Sequence, residues 1–150
     1  MHLECIVDVK INKVDVAGEE VPGAVLTLTG KDPYGELIVF SADQLEPGEG
    51  VVVKQNSGDK LVWISGTSPT NVTKLVDGSY VLHEEAAPNG YKVAESITFV
   101  IKNGALVTEG NEAIEDGIVK MADELYKTDV QISKVDVGAG TELAGAELTV

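Results

Sequence analysis

The sequence is short of several residue types that particular functions require. Its 150 residues include one cysteine and no arginine, and aromatic residues make up 5%. The lone Cys5 excludes an internal disulfide, and the terminal sequence MHLEC gives it neither the base nor the positive surroundings of a catalytic thiol. Every apolar run falls short of the roughly 18 residues of a membrane helix. No basic segment precedes an apolar stretch. We therefore expect neither a membrane span nor a signal peptide within these residues.

Positive charge is also scarce. Asp and Glu number 25 against 11 basic residues, all of them lysine, and the formal net charge is −14. A protein that binds nucleic acid needs a basic surface to displace counterions from phosphates. An anionic membrane attracts the same kind of surface. The charge balance therefore predicts no nucleic-acid partner and no membrane insertion.

The sequence is rich in β-branched residues and turn formers. Val occurs 22 times, Ile 9 and Thr 10, beside 16 Gly and 5 Pro. Such residues favour strands separated by turns. Alternating apolar positions predict strands at 6–15, 24–29, 37–40, 51–54, 61–65, 79–84, 96–102, 105–108 and 118–123. We predict a hairpin turn at Asn103-Gly104, loops at 66–71 and 109–117, and at most one helical turn within 41–50. No segment keeps a 3.6-residue period, so the prediction is an all-β sandwich of two sheets.

One internal repeat indicates the domain organisation. Residues 7–28 recur over 128–150, with one residue inserted in the turn. The period of about 121 residues is that of a whole domain and not of a solenoid repeat. We therefore predict one complete domain over 1–127 and the opening strands of a truncated second copy over 128–150. The parent protein is then a tandem array.

The most specific motif lies in the second half of the first copy. Residues 80–91, YVLHEEAAPNGY, fit the pattern Y-x-L-x-E-x-x-A-P-x-G-Y. With this box, the opening IxKVD, the following PGAVLTL and the closing VKMADE, the sequence resembles the Cna B-type domains (prealbumin-like, SpaA-type) of Gram-positive pilins and surface adhesins. The resemblance covers most of residues 7–124, although residues 30–76 match only in general character.

The resemblance implies both a fold and a reaction. The fold is a reverse immunoglobulin-like (Cna B-type) two-sheet β-sandwich. In many members of the family, a lysine on the first strand forms an amide with an Asn or Asp on the last strand, assisted by the Glu of the box. Carried over by position, Lys13 is the nucleophile, Asp123 the acceptor and Glu84 the proton shuttle. Asp116, in the loop before the last strand, is the weaker alternative acceptor. Lys134 matches Lys13, but no Glu box follows it, so we expect it to stay unlinked.

Strand parity, read from the residues alone, points the same three groups inward. Lys13, Glu84 and Asp123 each share the parity of the apolar side chains in their own strands. Chance alone gives this result about one time in eight, because strand parity is two-fold. The box therefore carries most of the weight. The alternatives are that Lys13 extends to solvent beside an acidic edge, or that the carboxyl groups are exposed at strand ends.

Burial explains why these residue types suit the reaction. A lysine amine attacks only when neutral, and burial penalises its charged form. Burial also favours a protonated carboxyl, which is a better acyl acceptor than a carboxylate. A protonated Glu84 can donate to the Asp123 carbonyl, stabilise the developing oxyanion and pass protons to the departing water. The reaction happens once per molecule, so we expect self-crosslinking and not a turnover enzyme.

Other candidate sites are weaker. His2 and His83 are far apart in sequence, and His83 has the solvent parity of its strand, so we expect no metal site. The acidic loop 109–116 lacks the alternating ligands and central glycine of a calcium loop. Residues 71–73 form a glycosylation sequon, a pattern that is common by chance. We predict no cofactor.

Together these features favour a structural stalk or spacer domain of a bacterial cell-surface adhesin or pilin. Its partners are then the neighbouring domains of a tandem surface protein. The resemblance alone implies a secreted protein anchored to the cell wall. The alternative is a ligand-binding adhesin module that grips a host protein or glycan through long loops at 41–50 and 66–76. Clustered exposed aromatics would favour that alternative, and Trp63 and Tyr34 are the only hints of it.

Overall fold

The alternating apolar pattern produces strands and no helix across residues 6–125, which are the residues that this computed structural model describes. No helix in this range could therefore span a membrane. The strands are β1 (Val7–Asp15), β2 (Val25–Lys31), β3 (Leu45–Glu46), β4 (Val52–Gln55), β5 (Leu61–Ile64), β6 (Thr70–Leu75), β7 (Gly78–Ala86), β8 (Ile97–Lys102), β9 (Ala105–Leu106), β10 (Ile114–Glu115) and β11 (Ile118–Asp123).

These strands form two sheets that pack face to face. One sheet has the order β10-β11-β1-β6-β3, and the other has the order β4-β5-β2-β7-β8-β9. Strands β1 and β11 pair in parallel, whereas the other ladders between named strands are antiparallel. The predicted all-β sandwich of two sheets is confirmed.

The core lies between the sheets because each strand turns its apolar parity inward. The largest core side chains include Trp63, Tyr80 and Phe99, all fully buried. The rings of Tyr80 and Phe99 stack with their centroids 5.4 Å apart. The Tyr80 hydroxyl donates a hydrogen bond of 2.6 Å to the Val76 carbonyl, which satisfies its polar end. This packing fixes one sheet against the other, and with it the strand ends that form the site.

The parallel pair β1–β11 sets the register of the site. Lys13 lies opposite Met121, and Asp15 lies opposite Asp123. Positions 121 and 123 are on the same face of β11, so Lys13 and Asp123 are diagonal neighbours on the inner face of the sheet. A long side chain can reach a diagonal neighbour on an adjacent strand.

The predicted strand at 37–40 is wrong. Residues 37–40 alternate between exposed and inward-facing side chains, but they make only isolated bridges, Lys31 with Leu37 and Phe40 with Gly58. A strand needs a continuous ladder, and this segment crosses the sheet edge without one. Phe40 still reaches the core from this position.

The predicted loop at 66–71 is partly wrong, because β6 begins at Thr70 and pairs with β1. Pro69 and the small residues before it favour a turn, yet the pairing of Thr70 with Ile11 continues the chain as a strand. The segment 41–50 holds no helix and contains β3, which pairs with β6.

Two turns show how backbone conformation selects residues. The predicted hairpin at Asn103-Gly104 is confirmed, with φ angles of 56° and 73°. The predicted acidic loop at 109–117 instead ends in a second hairpin, where Asp116 and Gly117 have φ angles of 55° and 75° and join β10 to β11. Asn, Asp and Gly tolerate this left-handed region best.

Several sequence predictions concern residues outside the described range. These are Cys5, His2, the second copy at 128–150 and its Lys134. The predicted domain boundary at residue 127 also falls outside it, and the division of the chain into 1–127 and 128–150 stays a prediction.

Candidate functional site

Three ionisable side chains are buried together at one end of the sandwich. Lys13 lies near the end of β1, Glu84 near the end of β7, and Asp123 is the last residue of β11. Their exposed fractions are 3%, 1% and 0%. Charged residues are almost never fully buried unless they are paired, so this cluster is exceptional for the fold's interior.

The three side chains are in direct contact range. Lys13 Nζ contacts Asp123 Oδ1, and it lies 3.6 Å from Glu84 Oε2. Glu84 Oε1 accepts a hydrogen bond of 2.6 Å from the peptide N–H of Ala94. The structure thus brings together all three residues that the sequence singled out, from strands at the beginning, middle and end of the domain.

The cluster is poorly satisfied by hydrogen bonds. Lys13 Nζ, Glu84 Oε2 and both carboxyl oxygens of Asp123 have no hydrogen-bond partner. The Lys13–Asp123 contact is therefore an ion-pair contact that lacks hydrogen-bond geometry. A buried polar group without a partner costs about 1–3 kcal/mol. Such an arrangement resembles reactants held together more than a settled salt bridge.

Burial also changes the protonation of the cluster. The pKa of Glu84 is raised to about 7, chiefly by burial, and the neighbouring Asp123 carboxyl acts in the same direction. The Ala94 N–H and Lys13 act against this rise because both favour the carboxylate. Near neutral pH, Glu84 therefore exchanges readily between its acid and its base form, which is what a proton shuttle requires.

Comparison with protein families agrees with this fold. A family model described as "SpaA: Prealbumin-like fold domain" matches residues 7–113. The chain belongs to this family. The resemblance inferred from the box at 80–91 is thereby confirmed. The matched range includes Lys13 and Glu84 and ends before Asp123, so it does not bear on the acceptor.

Solved structures of Gram-positive pilus proteins have the same fold as this SpaA-family domain. The pilus adhesin RrgA from Streptococcus pneumoniae is 22% identical with a TM-score of 0.53, over 83% of this chain and 16% of that one. The minor pilin GBS52 from Streptococcus agalactiae is 18% identical with a TM-score of 0.53, over 88% and 50%. The major pilin SpaD from Corynebacterium diphtheriae is 18% identical with a TM-score of 0.50, over 83% and 32%.

This SpaA-family chain is much shorter than the solved proteins it matches. It spans 18% to 27% of the length of the pilus-presented adhesin Cpa in three crystal structures. No curated protein matches the chain.

The remaining candidate residues lie away from the cluster. Asp116 is exposed in the β10–β11 turn, at the end of β11 opposite to Asp123, so it is not within reach of Lys13. His83 is exposed, and its Nδ1 lies 2.8 Å from Ser96 Oγ. Within residues 6–125, no three metal-ligating side chains form a group that could hold an ion. Asn71 lies within β6, and its side chain donates to Glu46.

The two loops proposed for ligand binding are largely part of the sandwich. Residues 70–75 form β6, and residues 45–46 form β3 beside it. Trp63 is 1% exposed and belongs to the core, whereas Tyr34 is 90% exposed. Tyr34 lies in a turn in which the Asp32 carboxylate accepts hydrogen bonds from two backbone N–H groups.

One contact of the site was not predicted from the sequence. Ala94 contributes its backbone N–H to Glu84, and an alanine carries no side-chain signal for such a role. Only its spacing, three residues after the end of the box, could have directed attention to it.

Proposed function

We propose that this domain is a stalk or spacer of a Gram-positive surface protein, fastened by an amide between Lys13 and Asp123 that forms with the help of Glu84. The observation that carries the proposal is the contact of a buried lysine amine with a buried carboxyl, beside a second carboxyl with a pKa near neutrality. The same proposal places the domain outside the cell, with neighbouring domains of the same protein as its partners.

The proposed reaction balances with the groups present. The neutral amine of Lys13 attacks the carboxyl carbon of Asp123, and a new C–N bond forms. One amine proton and one proton held by the two carboxyl groups leave with an Asp123 oxygen as water, and Glu84 relays these protons. No oxidant, cofactor or outside reactant is needed.

Burial supplies much of the driving arrangement. The core holds amine and carboxyl in contact, and such positioning can contribute about 7–11 kcal/mol toward the barrier of a bimolecular step. The product also relieves a local cost. A neutral amide replaces two buried charged groups, and its N–H and C=O are groups that Glu84 can partner through Oε2.

The bond would strengthen the domain in two ways. Lys13 and Asp123 are 110 positions apart, and closing a loop of this length reduces the entropy of the unfolded chain by roughly 4–5 kcal/mol, as estimated for disulfides. Unlike a disulfide, an amide is insensitive to redox conditions. It also joins the first and last strands of the sheet, so a pull on the chain ends passes through the bond.

Intact mass spectrometry of the full chain tests the proposal. The wild type is expected to weigh one water less than its sequence, and Lys13→Ala and Glu84→Ala should regain that mass. Lys134→Ala is the matched control, because it removes the repeat's equivalent lysine and should still lose one water. A wild type of full mass would refute the crosslink, and a water loss that survives Lys13→Ala would assign it to another pair.

Ligand binding is a second candidate, and the exposed Tyr34 is the observation that favours it. A screen of host matrix proteins and glycans tests it, with Tyr34→Ala as the matched variant. Binding that Tyr34→Ala abolishes would support an adhesin module. Absence of binding across the screen would leave the stalk role alone.

A further inference from the structure

The segment after the box crosses directly over the buried cluster. Residues 92–96, here called the 92–96 strap, form no strand and run from the end of β11 toward the start of β8. One end is tied by the Lys92 N–H, which donates to the Glu124 carbonyl at 2.8 Å. The other is tied by the contact of 2.8 Å between Ser96 Oγ and His83 Nδ1. A cavity of about 300 Å³ borders the strap and the end of β11.

Between these ties, the strap makes one contact with the cluster that distinguishes the two oxygens of Glu84. Oε1 accepts the Ala94 N–H at 2.6 Å. Oε2 has no hydrogen-bond partner and lies 3.6 Å from Lys13 Nζ. A carboxyl group in solution would interchange its oxygens freely, because the terminal torsion of Glu is broad and two-fold.

We infer that the peptide N–H of Ala94 is a positioning group that keeps the proton of Glu84 on Oε2, facing Lys13 and Asp123. An oxygen that accepts a backbone N–H is the better place for negative charge, so the proton resides on the other oxygen. That other oxygen is the one beside the reacting pair. The inference rests on the proposed crosslinking function and adds to it a residue outside the three reacting groups.

The strap offers a matched pair of proline variants. Ala94→Pro removes the N–H that Glu84 accepts. Val93→Pro introduces the same ring one residue earlier, where the side chain is exposed and the N–H has no partner among the described residues, and it keeps the Ala94 N–H. Both variants should be made in the full chain, synthesised cell-free as a short pulse. Crosslinking is then followed by mass and by faster migration in denaturing gels.

We expect Ala94→Pro to form the bond about 10- to 100-fold more slowly than the wild type, because Glu84 loses its fixed orientation. Val93→Pro should stay within about threefold of the wild type, since its change leaves the reacting geometry in place. The pH profile separates positioning from a general structural defect. Loss of the N–H removes an interaction that favours the carboxylate, so the alkaline limb should move to higher pH in Ala94→Pro. A rate lowered equally at every pH would overturn the inference.

A second measurement does not depend on the folding of a proline variant. In the unlinked Lys13→Met chain, the amide proton resonance of Ala94 should move downfield as Glu84 ionises, whereas that of Val93 should not. An Ala94 resonance that stays constant while Glu84 titrates would overturn the inference. The two proposals fail separately: a wild type without water loss refutes the crosslink, whereas normal crosslinking in Ala94→Pro with an unmoved pH profile refutes only the role of Ala94.

Discussion

At the scale of single residues, the site combines groups that solvent would keep charged and apart. Period-two parity and the box pattern were sufficient to predict that Lys13, Glu84 and Asp123 point inward, and the structure buries all three. Their mutual contacts depend on which strands become neighbours. The contact of Ala94 with Glu84 could not be predicted at all, because a backbone N–H is present at almost every residue and carries no sequence signal.

Asp123→Asn tests the identity of the acceptor at this scale. An amide acceptor should still react with Lys13, but it releases ammonia where the carboxyl releases water. We therefore expect the variant to form the crosslink with the mass loss of one ammonia in intact mass spectrometry. Asp116→Asn is the control and should retain the loss of water. Loss of ammonia from Asp116→Asn would identify Asp116 as the acceptor.

The raised pKa of Glu84 predicts the pH dependence of bond formation. Only the protonated form donates to the acceptor, and that fraction falls as pH rises through about 7. Well above this value, the rate should decrease about tenfold per pH unit. Pulse-synthesised chain transferred to buffers between pH 6 and 9 and analysed on denaturing gels measures this limb. A rate that stays flat or rises to pH 9 would contradict the assignment of Glu84 as the acid.

At the scale of strands, local pattern predicted most elements, and its errors have a common cause. Residues 37–40 alternate like a strand but have no neighbour to form a ladder, whereas Thr70 follows turn-forming residues and still joins β6 because β1 lies beside it. Pairing partners decide both cases, and they lie about 20 to 60 positions away in the sequence. Strand propensity describes a fit to a sheet surface and does not create the sheet.

Gly30 in β2 tests how tightly the sheets pack. A Cβ atom at this position would lie 2.6 Å from Tyr80 Cδ2, closer than side chains tolerate. Gly30→Ala should therefore lower the free energy of unfolding by about 1–3 kcal/mol, through displacement of the Tyr80 ring. Thermal unfolding in the Lys13→Ala background measures this without the crosslink, and Thr29→Ala on the opposite face is the control. Equal melting temperatures for Gly30→Ala and its parent would mean that the ring moves at no cost.

At the scale of the whole molecule, the parallel pairing of β1 and β11 determines how the domain meets force. Tension enters along β1 and leaves from the end of β11, so the two strands are pulled past each other in opposite directions. The proposed bond joins them close to the exit point and leaves the 110 positions between Lys13 and Asp123 outside the path of force.

Single-molecule stretching of the chain by its termini tests this path. The wild type should show no extension from the segment between the linked residues. Lys13→Ala should release that segment, which adds roughly 360–400 Å of length at full extension. Lys134→Ala should behave like the wild type. A similar length released from the wild type would show that no covalent path crosses the domain.

The sequence by itself determined the fold class, the family and the inward parity of a lysine and two acids, because alternation and a dense motif are local properties of the chain. The tertiary structure decided that these three side chains touch, that Asp116 is too distant to replace Asp123, and that a backbone amide holds Glu84. These are distances between segments far apart in sequence, and only the pairing of strands and the packing of two sheets determine them.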